Sequence, residues 1–398
     1  MFTRGVVAAT LPLVFACSFE AQPARSPECP VVASSPSSPS SPERLAVAPG
    51  VQVASAAPPV TAVPPADAPP APLLTAVLDP EPPQLGKIGD LLLENGEIIE
   101  DCQVEYRTLG AANANKSNVV VWATWFSGIT KDLVGLVGPG KLVDSSRYQV
   151  VLVGALGNGV SSSPSNSPLQ PRTRFPSIGI RDMVESQHRL LTRVLGLSHV
   201  RAVMGISMGG MQTFQWGVTY PGFMDKLIPL VGSPRLAPYD LLLWQTTLDA
   251  IQQNPAYAGG NYREQPLLSV VQQLADLNLR TPQNYNQRHT PEDTRAKHDK
   301  LTPPRFDAND RVRQLGAMMS HDISKAFGGS LDAAAAQAIK AKLLVVVNEH
   351  DAMVTPGPAL DFAKRAKAQT FILKGDCGHQ ATSCEEAAIG KRVAEALK

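Results

Sequence analysis

The chain has 398 residues, of which 43% are hydrophobic and 18% charged, so it is long enough to bury a large core. Its 36 basic and 35 acidic residues leave a net charge of +1, which excludes the basic surplus typical of proteins that bind nucleic acid. The sequence has no Cys/His spacing of a metal site and no internal repeat, so we predict no metal and no nucleic-acid partner.

The first 17 residues have the pattern of an export signal. Arg4 supplies a positive charge, and residues 6–16 are apolar but too few to span a bilayer. The ending Val14-Phe15-Ala16-Cys17 resembles a bacterial lipobox, although Phe15 is larger than the usual residue there. We expect an exported, lipid-anchored cell-envelope protein with Cys17 as its lipidation site and its one membrane attachment. An ordinary cleaved signal peptide is the alternative.

Residues 18–84 are dominated by Pro, Ser and Ala. Such a segment cannot bury enough apolar surface to offset the entropy of ordering its chain. We therefore predict a disordered tether over this range, with the folded part beginning at Leu85.

The folded part alternates short apolar runs with segments of helical periodicity, which indicates a mostly parallel α/β sheet. Strands are predicted over residues 118–124, 148–155, 200–206, 225–232, 343–350 and 370–374, and helices over 180–195, 207–220 and 381–397. Strand patterns disappear between residues 235 and 329, where Gln- and Asn-rich helical stretches follow one another. We predict a core of residues 85–234 and 330–398, with residues 235–329 as a helical lid over the carboxyl edge of the sheet.

The run VRAVMGI is followed by a serine with glycines two residues away on both sides, in Gly205-Ile206-Ser207-Met208-Gly209. This G-x-S-x-G pattern is common by chance, but here a predicted buried strand precedes it and a helix follows it. That order is the strand–turn–helix of a nucleophile elbow, which projects the serine at a helix N-terminus. Ser207 is therefore the predicted nucleophile.

A serine hydroxyl needs a base, and the base needs a group that orients it. In a fold of this kind the order along the chain is Ser, then Asp or Glu, then His. Asp351 directly follows one predicted strand and His379 lies in the loop after the next. We predict the triad Ser207, Asp351 and His379, with Glu349 or Asp376 as alternative acids.

Acyl transfer also needs two N–H donors for the oxyanion. Met208, next to the nucleophile, would supply one. The second would come from the oxyanion loop, Trp125-Phe126-Ser127-Gly128, which follows an early strand. We predict Phe126 as that donor and its side chain as a wall of the acyl pocket, the alternative being that Trp125 and Phe126 are core aromatic residues.

Several segments resemble the homoserine O-acetyltransferase family over about residues 104–379. The matching segments are VEYRTLGAANANKSNVVVWATWFSG, RFPSIGIRDMVESQHRLLTRVLG, GISMGGMQTFQWGVTYP, AIQQNPAYAGGNY and RFDAND. The resemblance implies an α/β-hydrolase fold with a helical lid, a ping-pong reaction through acyl-Ser207, and a homodimer formed through the lid. Arg181 and Asp182, in the matching RDMV segment, are expected to support the site. Arg181 and Trp125 are the candidate substrate-binding residues.

Three departures from the family pattern bear on the acceptor. Ile206 replaces a glycine, Leu248 and Asp249 stand where an arginine is usual, and Phe126 begins a loop that is usually Leu-Thr-Gly. A homoserine carboxylate or a CoA phosphate would favour an arginine. We therefore expect an esterase-like hydrolase of small-molecule acyl esters, with water as acceptor and no cofactor. The alternative is an acyl-CoA-dependent homoserine or serine O-acetyltransferase, with acetyl-CoA as co-substrate. A silent surface-binding module is a third hypothesis, which the intact triad disfavours.

The cysteines leave one question open in the sequence. Cys377 and Cys384 are close enough along the chain to pair and clamp the loop around His379, but two free thiols are equally compatible with the pattern.

Overall fold

The computed structural model describes residues 82–299, 305–335 and 340–398. The predicted signal segment 1–17, with Cys17, and residues 18–81 of the predicted tether lie outside the described residues. The first strand begins at Gln84, one position before the predicted start of the folded part.

The eight strands of the described residues form one sheet in the order β1-β2-β4-β3-β5-β6-β7-β8. The strands are β1 (Gln84–Leu92), β2 (Ile98–Leu109), β3 (Val119–Ala123), β4 (Gln149–Val153), β5 (Val200–Ile206), β6 (Met224–Leu230), β7 (Lys342–Asn348) and β8 (Gln369–Leu373). Strand β2 pairs antiparallel with both of its neighbours, and every pair from β4 to β8 is parallel. The mostly parallel sheet predicted from the sequence is confirmed.

Helices connect the parallel strands and cover both faces of the sheet. They are α1 (Thr130–Val134), α2 (Ile180–Arg189), α3 (Met208–Thr219), α4 (Pro238–Gln252), α5 (Ser269–Leu279), α6 (Pro282–Arg288), α7 (Pro291–Asp299), α8 (Ala308–Met319), α9 (Leu331–Ala333), α10 (Gly357–Arg365), α11 (Ala381–Cys384) and α12 (Glu386–Ala396). One hydrophobic cluster joins one face of the sheet to α2, α3 and α10, and a second joins the other face to α1 and α12.

The central strands are buried on both faces because both layers of helices cover them. All five residues of β3 have an exposed fraction of 0%. Their side chains alternate between the clusters: Val119 and Val121 pack in the first, Val120 and Trp122 in the second. This two-sided burial explains why β3, β4, β5 and β7 read as continuous β-branched runs in the sequence.

The hairpin of β1 and β2 was not predicted. In β1 only three of the nine residues are buried, and Gly86, Gly89 and Asp90 interrupt the apolar pattern. Edge strands of this kind carry a weak signal because one face meets solvent.

The predicted last helix, residues 381–397, is also wrong in one respect. It is broken at Glu385 into α11 and α12.

Between β6 and β7 the chain forms helices α4 to α8, within the predicted lid. Among the described residues, none of the helices is both long enough and apolar enough to cross a membrane. The lid is tied to the core by Asp310 in the first turn of α8. Its carboxyl group accepts hydrogen bonds from the Ser165 N–H at 2.9 Å and from Ser165 Oγ at 2.6 Å.

The burial of the Asp310 carboxyl group predicts a pH dependence of stability. Burial, together with the nearby charge of Asp307, raises the pKa of Asp310 from 3.8 to about 7. The folded state then holds this proton more tightly than the unfolded chain, so its contribution to stability is complete below pH about 4 and is lost as the pH rises through about 7. We expect the free energy of unfolding to fall by roughly 2–4 kcal/mol across this window.

The measurement is urea unfolding of wild type and of Asp310→Asn at several pH values in this window. The slope of stability against pH should be shallower in the variant, because its amide does not titrate. Equal slopes in the two proteins would show that another group carries the dependence.

Candidate active site

The turn between β5 and α3 holds Ser207 in an unusual backbone conformation. Ser207 has φ 59° and ψ −120°, whereas residues with side chains rarely adopt positive φ. The surrounding backbone holds it there: its N–H donates to the Leu230 carbonyl at 2.9 Å, and its carbonyl accepts from the Met211 N–H at 3.0 Å. This is the geometry of the predicted nucleophile elbow, with the serine at the N-terminus of a twelve-residue helix.

The glycines around Ser207 are required by close backbone approach. A Cβ on Gly205 would lie 2.3 Å from the Gly209 backbone, and a Cβ on Gly209 would lie 2.5 Å from the Ala123 carbonyl oxygen. Gly210 and Gly232 are packed backbone against backbone in the same way, with a Cβ on Gly210 only 2.9 Å from the Gly232 Cα. The G-x-S-x-G spacing is thus a packing requirement of the elbow, where α3 crosses β3 and the end of β6.

We expect Gly209→Ala to destabilise the protein by about 3 kcal/mol or more, since rigid backbone would have to move to admit the methyl group. Gly316→Ala is the matched control. Gly316 lies inside α8, and a Cβ added there would meet no atom within 4 Å, so the same change should stabilise by about 0.5–1 kcal/mol. Denaturant unfolding of the two variants measures both effects, and a stable Gly209→Ala protein would contradict the packing argument.

The three residues of the predicted triad are hydrogen-bonded in a line. His379 Nε2 lies 2.9 Å from Ser207 Oγ, and His379 Nδ1 lies 2.7 Å from Asp351 Oδ2. The second carboxylate oxygen of Asp351 accepts from the N–H groups of Met353 and Val354. All three triad side chains are buried. The donors hold the carboxylate in place, so it can fix the imidazole with Nδ1 protonated and Nε2 free to accept from the serine.

The structure separates Asp351 from the alternative acids. Asp376 accepts from the Asn284 side chain at 2.9 Å, and Glu349 lies at the surface 3.4 Å from His350. Neither is bonded to His379. Asp351 lies where it does because β7 ends at Asn348, directly before the turn that carries it.

Two N–H groups of the oxyanion loop are hydrogen-bonded. The Gly128 N–H donates to the Trp125 carbonyl at 2.9 Å, and the Ser127 N–H donates to Gln314 Oε1 at 2.7 Å. Among the described residues, no partner accepts from the N–H of Phe126, nor from those of Trp125 and Met208. Phe126 and Met208, the two predicted donors, therefore both keep a free N–H, and that of Met208 directly follows Ser207 in the chain. Their role as the oxyanion donors stays a prediction.

The two aromatic residues of the loop diverge. The Phe126 ring packs towards the lid, with its centroid 6.0 Å from that of Trp244 on α4. Trp125 folds back over Gly128, where a Cβ would lie 2.7 Å from its ring, and packs against the second hydrophobic cluster. Both side chains are partly buried, Phe126 against the first hydrophobic cluster and Trp125 against the second. Phe126 as a wall of the acyl pocket and Trp125 as a substrate-binding residue stay predictions.

The structure places Arg181 in a surface ion pair, and its role in substrate binding stays a prediction. Arg181 forms an exposed ion pair with Glu94 at 3.1 Å and lines a cavity of about 450 Å³ with Gln215 and other residues at the C-terminal half of α3. At 1.5 Å rise per residue, Gln215 lies about 12 Å along the helix from Ser207. Asp182 has the expected structural role, because its carboxylate accepts from the N–H groups of Gly179 and Glu94.

The loop that carries His379 is closed by a disulfide and covered by the lid. Cys377 and Cys384 are bonded, which resolves the open question from the sequence. From the lid, Thr281 Oγ1 donates to the Asp376 carbonyl at 2.6 Å, and the Arg280 guanidinium lies 3.6 Å from Cys384 Sγ. The position of the base thus depends on contacts from both the core and the lid.

Three side chains around the site were not predicted from the sequence: Gln314, Glu105 and Asp240. Asp240 is buried on α4 and accepts from the N–H of Thr355, four residues after Asp351, at 3.1 Å. Gln314 and Asp240 both lie in the lid, where a single polar residue gives no signal in the sequence. Glu105 is a charged residue within β2, fully buried, and its carboxylate accepts from Thr130 Oγ1 at 2.5 Å and from Asn158 Nδ2 at 3.0 Å. Burial raises the pKa of Glu105. Strand β2 also carries other charged residues, Glu100, Asp101 and Arg107, so nothing in the sequence singles out Glu105 as buried.

Within the described ranges, no group of three or more His, Cys, Asp or Glu side chains converges as a metal-ligand set.

The chain is similar in sequence to one protein-family model and to several known enzymes. Residues 117–382 match the family model for the alpha/beta hydrolase fold. A homoserine O-acetyltransferase from Chlorobium chlorochromatii is 32% identical over 263 residues, which cover 60% of this chain and 73% of that protein. An ethyl acetate hydrolase from Pseudomonas veronii is 37% identical over 184 residues, or 46% of this chain. That match spans about half the length of the hydrolase, 53%.

A solved structure described as the acetyl esterase MekB superposes with a TM-score of 0.74 at 29% identity. The superposition covers 80% of this chain and 97% of that one, so the core and the lid are both included.

Proposed function

Because the chain belongs to the alpha/beta hydrolase fold family, and within it to the branch of the homoserine O-acetyltransferases, we propose that it is a serine hydrolase of small-molecule acyl esters. The observation that carries the proposal is the hydrogen-bonded line from Ser207 through His379 to Asp351. The N–H groups of Phe126 and Met208, which have no acceptor among the described residues, support it as the proposed oxyanion donors.

In the acylation step, Ser207 Oγ attacks the ester carbonyl carbon while its proton passes to His379 Nε2. Asp351 stabilises the imidazolium that forms and does not itself take the proton. The carbonyl oxygen becomes an oxyanion and accepts hydrogen bonds from Phe126 and Met208 at the positive end of α3. Collapse of the tetrahedral intermediate breaks the bond to the alcohol, which leaves with the proton from His379.

In the second step, water attacks the carbonyl carbon of acyl-Ser207. His379 takes a proton from this water and returns it to Ser207 Oγ as the acid product leaves. Every proton and every bond in the cycle is accounted for by the ester, water and these side chains, so the proposed reaction uses no cofactor.

Two residues of lid helix α4 favour water as the acceptor. Leu248 and Asp249 occupy the place where the acetyltransferase pattern has an arginine, and Asp249 is bonded to Gln245 on the same helix. A negative side chain would repel a carboxylate or a phosphate. The names of two similar proteins, an ethyl acetate hydrolase and an acetyl esterase, support an acetyl ester as the first substrate to try. The alternative is acetyl-CoA-dependent acetylation of homoserine or serine.

The experiment that tests the proposal measures both acceptors with one enzyme preparation. The purified protein is given an acetyl ester of a chromogenic alcohol, and separately acetyl-CoA with and without homoserine, with thiol release followed in the second assay. Ester turnover without homoserine-dependent thiol release supports hydrolysis. Thiol release that requires homoserine would overturn it in favour of the transferase.

We propose further that the lid pairs with the lid of a second copy. Helices α4 and α5 expose the side chains of Leu242, Val270 and Leu277 by 65%, 52% and 72%, and such apolar surface is typically covered. We expect Leu242→Glu to shift the protein from dimer to monomer in sedimentation equilibrium at micromolar concentration. A wild-type protein that is monomeric there would contradict this proposal.

Export and lipid attachment at Cys17 complete the proposed function. The supporting observation is the sequence pattern of residues 1–17. Labelling with a radioactive fatty acid should mark the full-length protein and not its Cys17→Ser variant. A wild-type protein that is exported without label would leave the cleaved signal peptide as the correct interpretation.

A further inference from the structure

We propose that Gln314, on lid helix α8, is a positioning residue that fixes the oxyanion loop and thereby makes the rate of the reaction depend on the docked lid. The inference rests on the proposed function, in which the Phe126 N–H stabilises the oxyanion. Gln314 belongs to the lid by sequence, yet its side chain is fully buried at the carboxyl edge of the sheet.

The amide of Gln314 bridges the loops that follow two neighbouring strands. Its Oε1 accepts from the Ser127 N–H, after β3, at 2.7 Å, and its Nε2 donates to the Leu156 carbonyl, after β4, at 3.0 Å. Both backbone groups are buried, and an unpaired buried group costs about 1–3 kcal/mol. The lid thus supplies the hydrogen bonds that these two core loops lack.

The Ser127 N–H that Gln314 binds belongs to the peptide between Phe126 and Ser127, and the orientation of this peptide determines the type of turn. The hydrogen bond from Gly128 N–H to Trp125 carbonyl closes a four-residue turn, in which Phe126 and Ser127 are the central residues. Ser127 has φ 57°, which type II turns require at this place and which favours glycine. If the central peptide flipped, Ser127 would relax to negative φ and its N–H would leave Gln314. The bond from Gln314 therefore holds the turn in the less favourable of two forms.

The far end of the same loop is held by contacts that do not involve Gln314. Asn158 Nδ2 donates to the Gly128 carbonyl at 3.2 Å, and the Thr130 N–H donates to the buried carboxylate of Glu105 at 3.2 Å. These contacts remain when Gln314 is changed. Loss of the Gln314 amide should therefore displace the central peptide beside Phe126 without unfolding the loop.

The first test is Gln314→Met, which keeps the length of the side chain and removes both hydrogen bonds. In ester hydrolysis we expect kcat to fall by about 10- to 100-fold, and KM to change by less than about threefold, because a misplaced donor acts on the transition state. Gln245→Met is the matched control. Gln245 also lies in the lid, and its one hydrogen bond among the described residues is to Asp249 at the surface, so its replacement should leave kcat unchanged.

The second test, Gln314→Glu, has a signature that a merely structural residue would not give. A protonated glutamic acid can accept from Ser127 and donate to Leu156 as the amide does, whereas the ionised form loses the donor and faces a carbonyl oxygen. The ratio of variant to wild-type kcat should therefore be highest at acid pH and fall as the pH rises.

Two results would overturn the proposal: a Gln314→Met enzyme with kcat within twofold of wild type, or, where that variant does not fold, a pH-independent ratio for Gln314→Glu. Failure of the proposed function is recognised separately. Ester turnover that survives in Ser207→Ala would remove the acyl-serine pathway, whatever the Gln314 variants do.

Discussion

Ester hydrolysis by Ser207→Ala is expected to be slower than that of the wild type by about four to six powers of ten in kcat. The change removes the oxygen that forms the acyl bond, and the remaining residues of the site then act only on water. Stability should be little affected, since the β-carbon and the backbone bonds of Ser207 to Leu230 and Met211 remain. Initial rates at saturating ester, with enzyme concentrated enough to detect the residual activity, give the size of the effect.

Ser146→Ala is a suitable control for the preparation, because Ser146 lies in an exposed turn bonded to Asp144. It should hydrolyse the ester at the wild-type rate. The acyl-enzyme can be observed directly in the same samples: mass spectrometry after rapid acid quenching should find an added acetyl group in wild type and none in Ser207→Ala. A Ser207→Ala enzyme with unchanged turnover would leave a tethered binding module as the better hypothesis.

The second large effect is expected from Asp351→Asn, with a loss of about four powers of ten in kcat. An amide that presents its NH₂ to His379 Nδ1 would favour the tautomer in which Nε2 carries the proton, and this nitrogen could then no longer accept from Ser207. The bonds from Met353 and Val354 to the other oxygen can persist, so the fold should be retained. Circular dichroism and a steady-state rate assay on the same protein separate the two possibilities.

The alternative acids provide matched controls for this substitution. Asp376→Asn and Glu349→Gln remove a charge at a similar place in sequence, but neither side chain is bonded to His379. Each should lower kcat by less than about tenfold. If Asp376→Asn were as damaging as Asp351→Asn, the base would be oriented by a different carboxylate from the one the geometry indicates.

The parts of the molecule that could be predicted from the sequence are those in which local pattern and chemistry coincide. The strand before Ser207 is buried on both faces, the glycines on either side are demanded by backbone contact, and the acid and the base follow strands that end at the same edge. Each of these facts leaves a mark within a few residues of the chain. Their meeting in space then follows from parallel strand order.

The remainder depends on contacts between distant segments. Ser127 and Gln314 are separated by 187 positions, and no local pattern links them. The surroundings of Arg181 are a second case: its neighbours along the chain match a family segment, but no local pattern indicates its ion pair with Glu94, 87 positions away, or the cavity that both residues line. A hairpin with a solvent-facing edge, such as β1 with β2, gives too weak an apolar pattern to be recognised.

The lid is inserted in the connection between β6 and β7, and this position separates substrate access from catalysis along the chain. Helices α4 to α8 are inserted between β6 and β7, whereas Ser207, Asp351 and His379 all belong to core loops. Insertions or exchanges within this segment can therefore alter which molecules reach the acyl group while the proton relay is conserved. The core carries the residues that react, and the lid can change in sequence without altering them. The choice of acceptor can therefore evolve by substitutions in the lid, provided that contacts such as that of Gln314 are preserved.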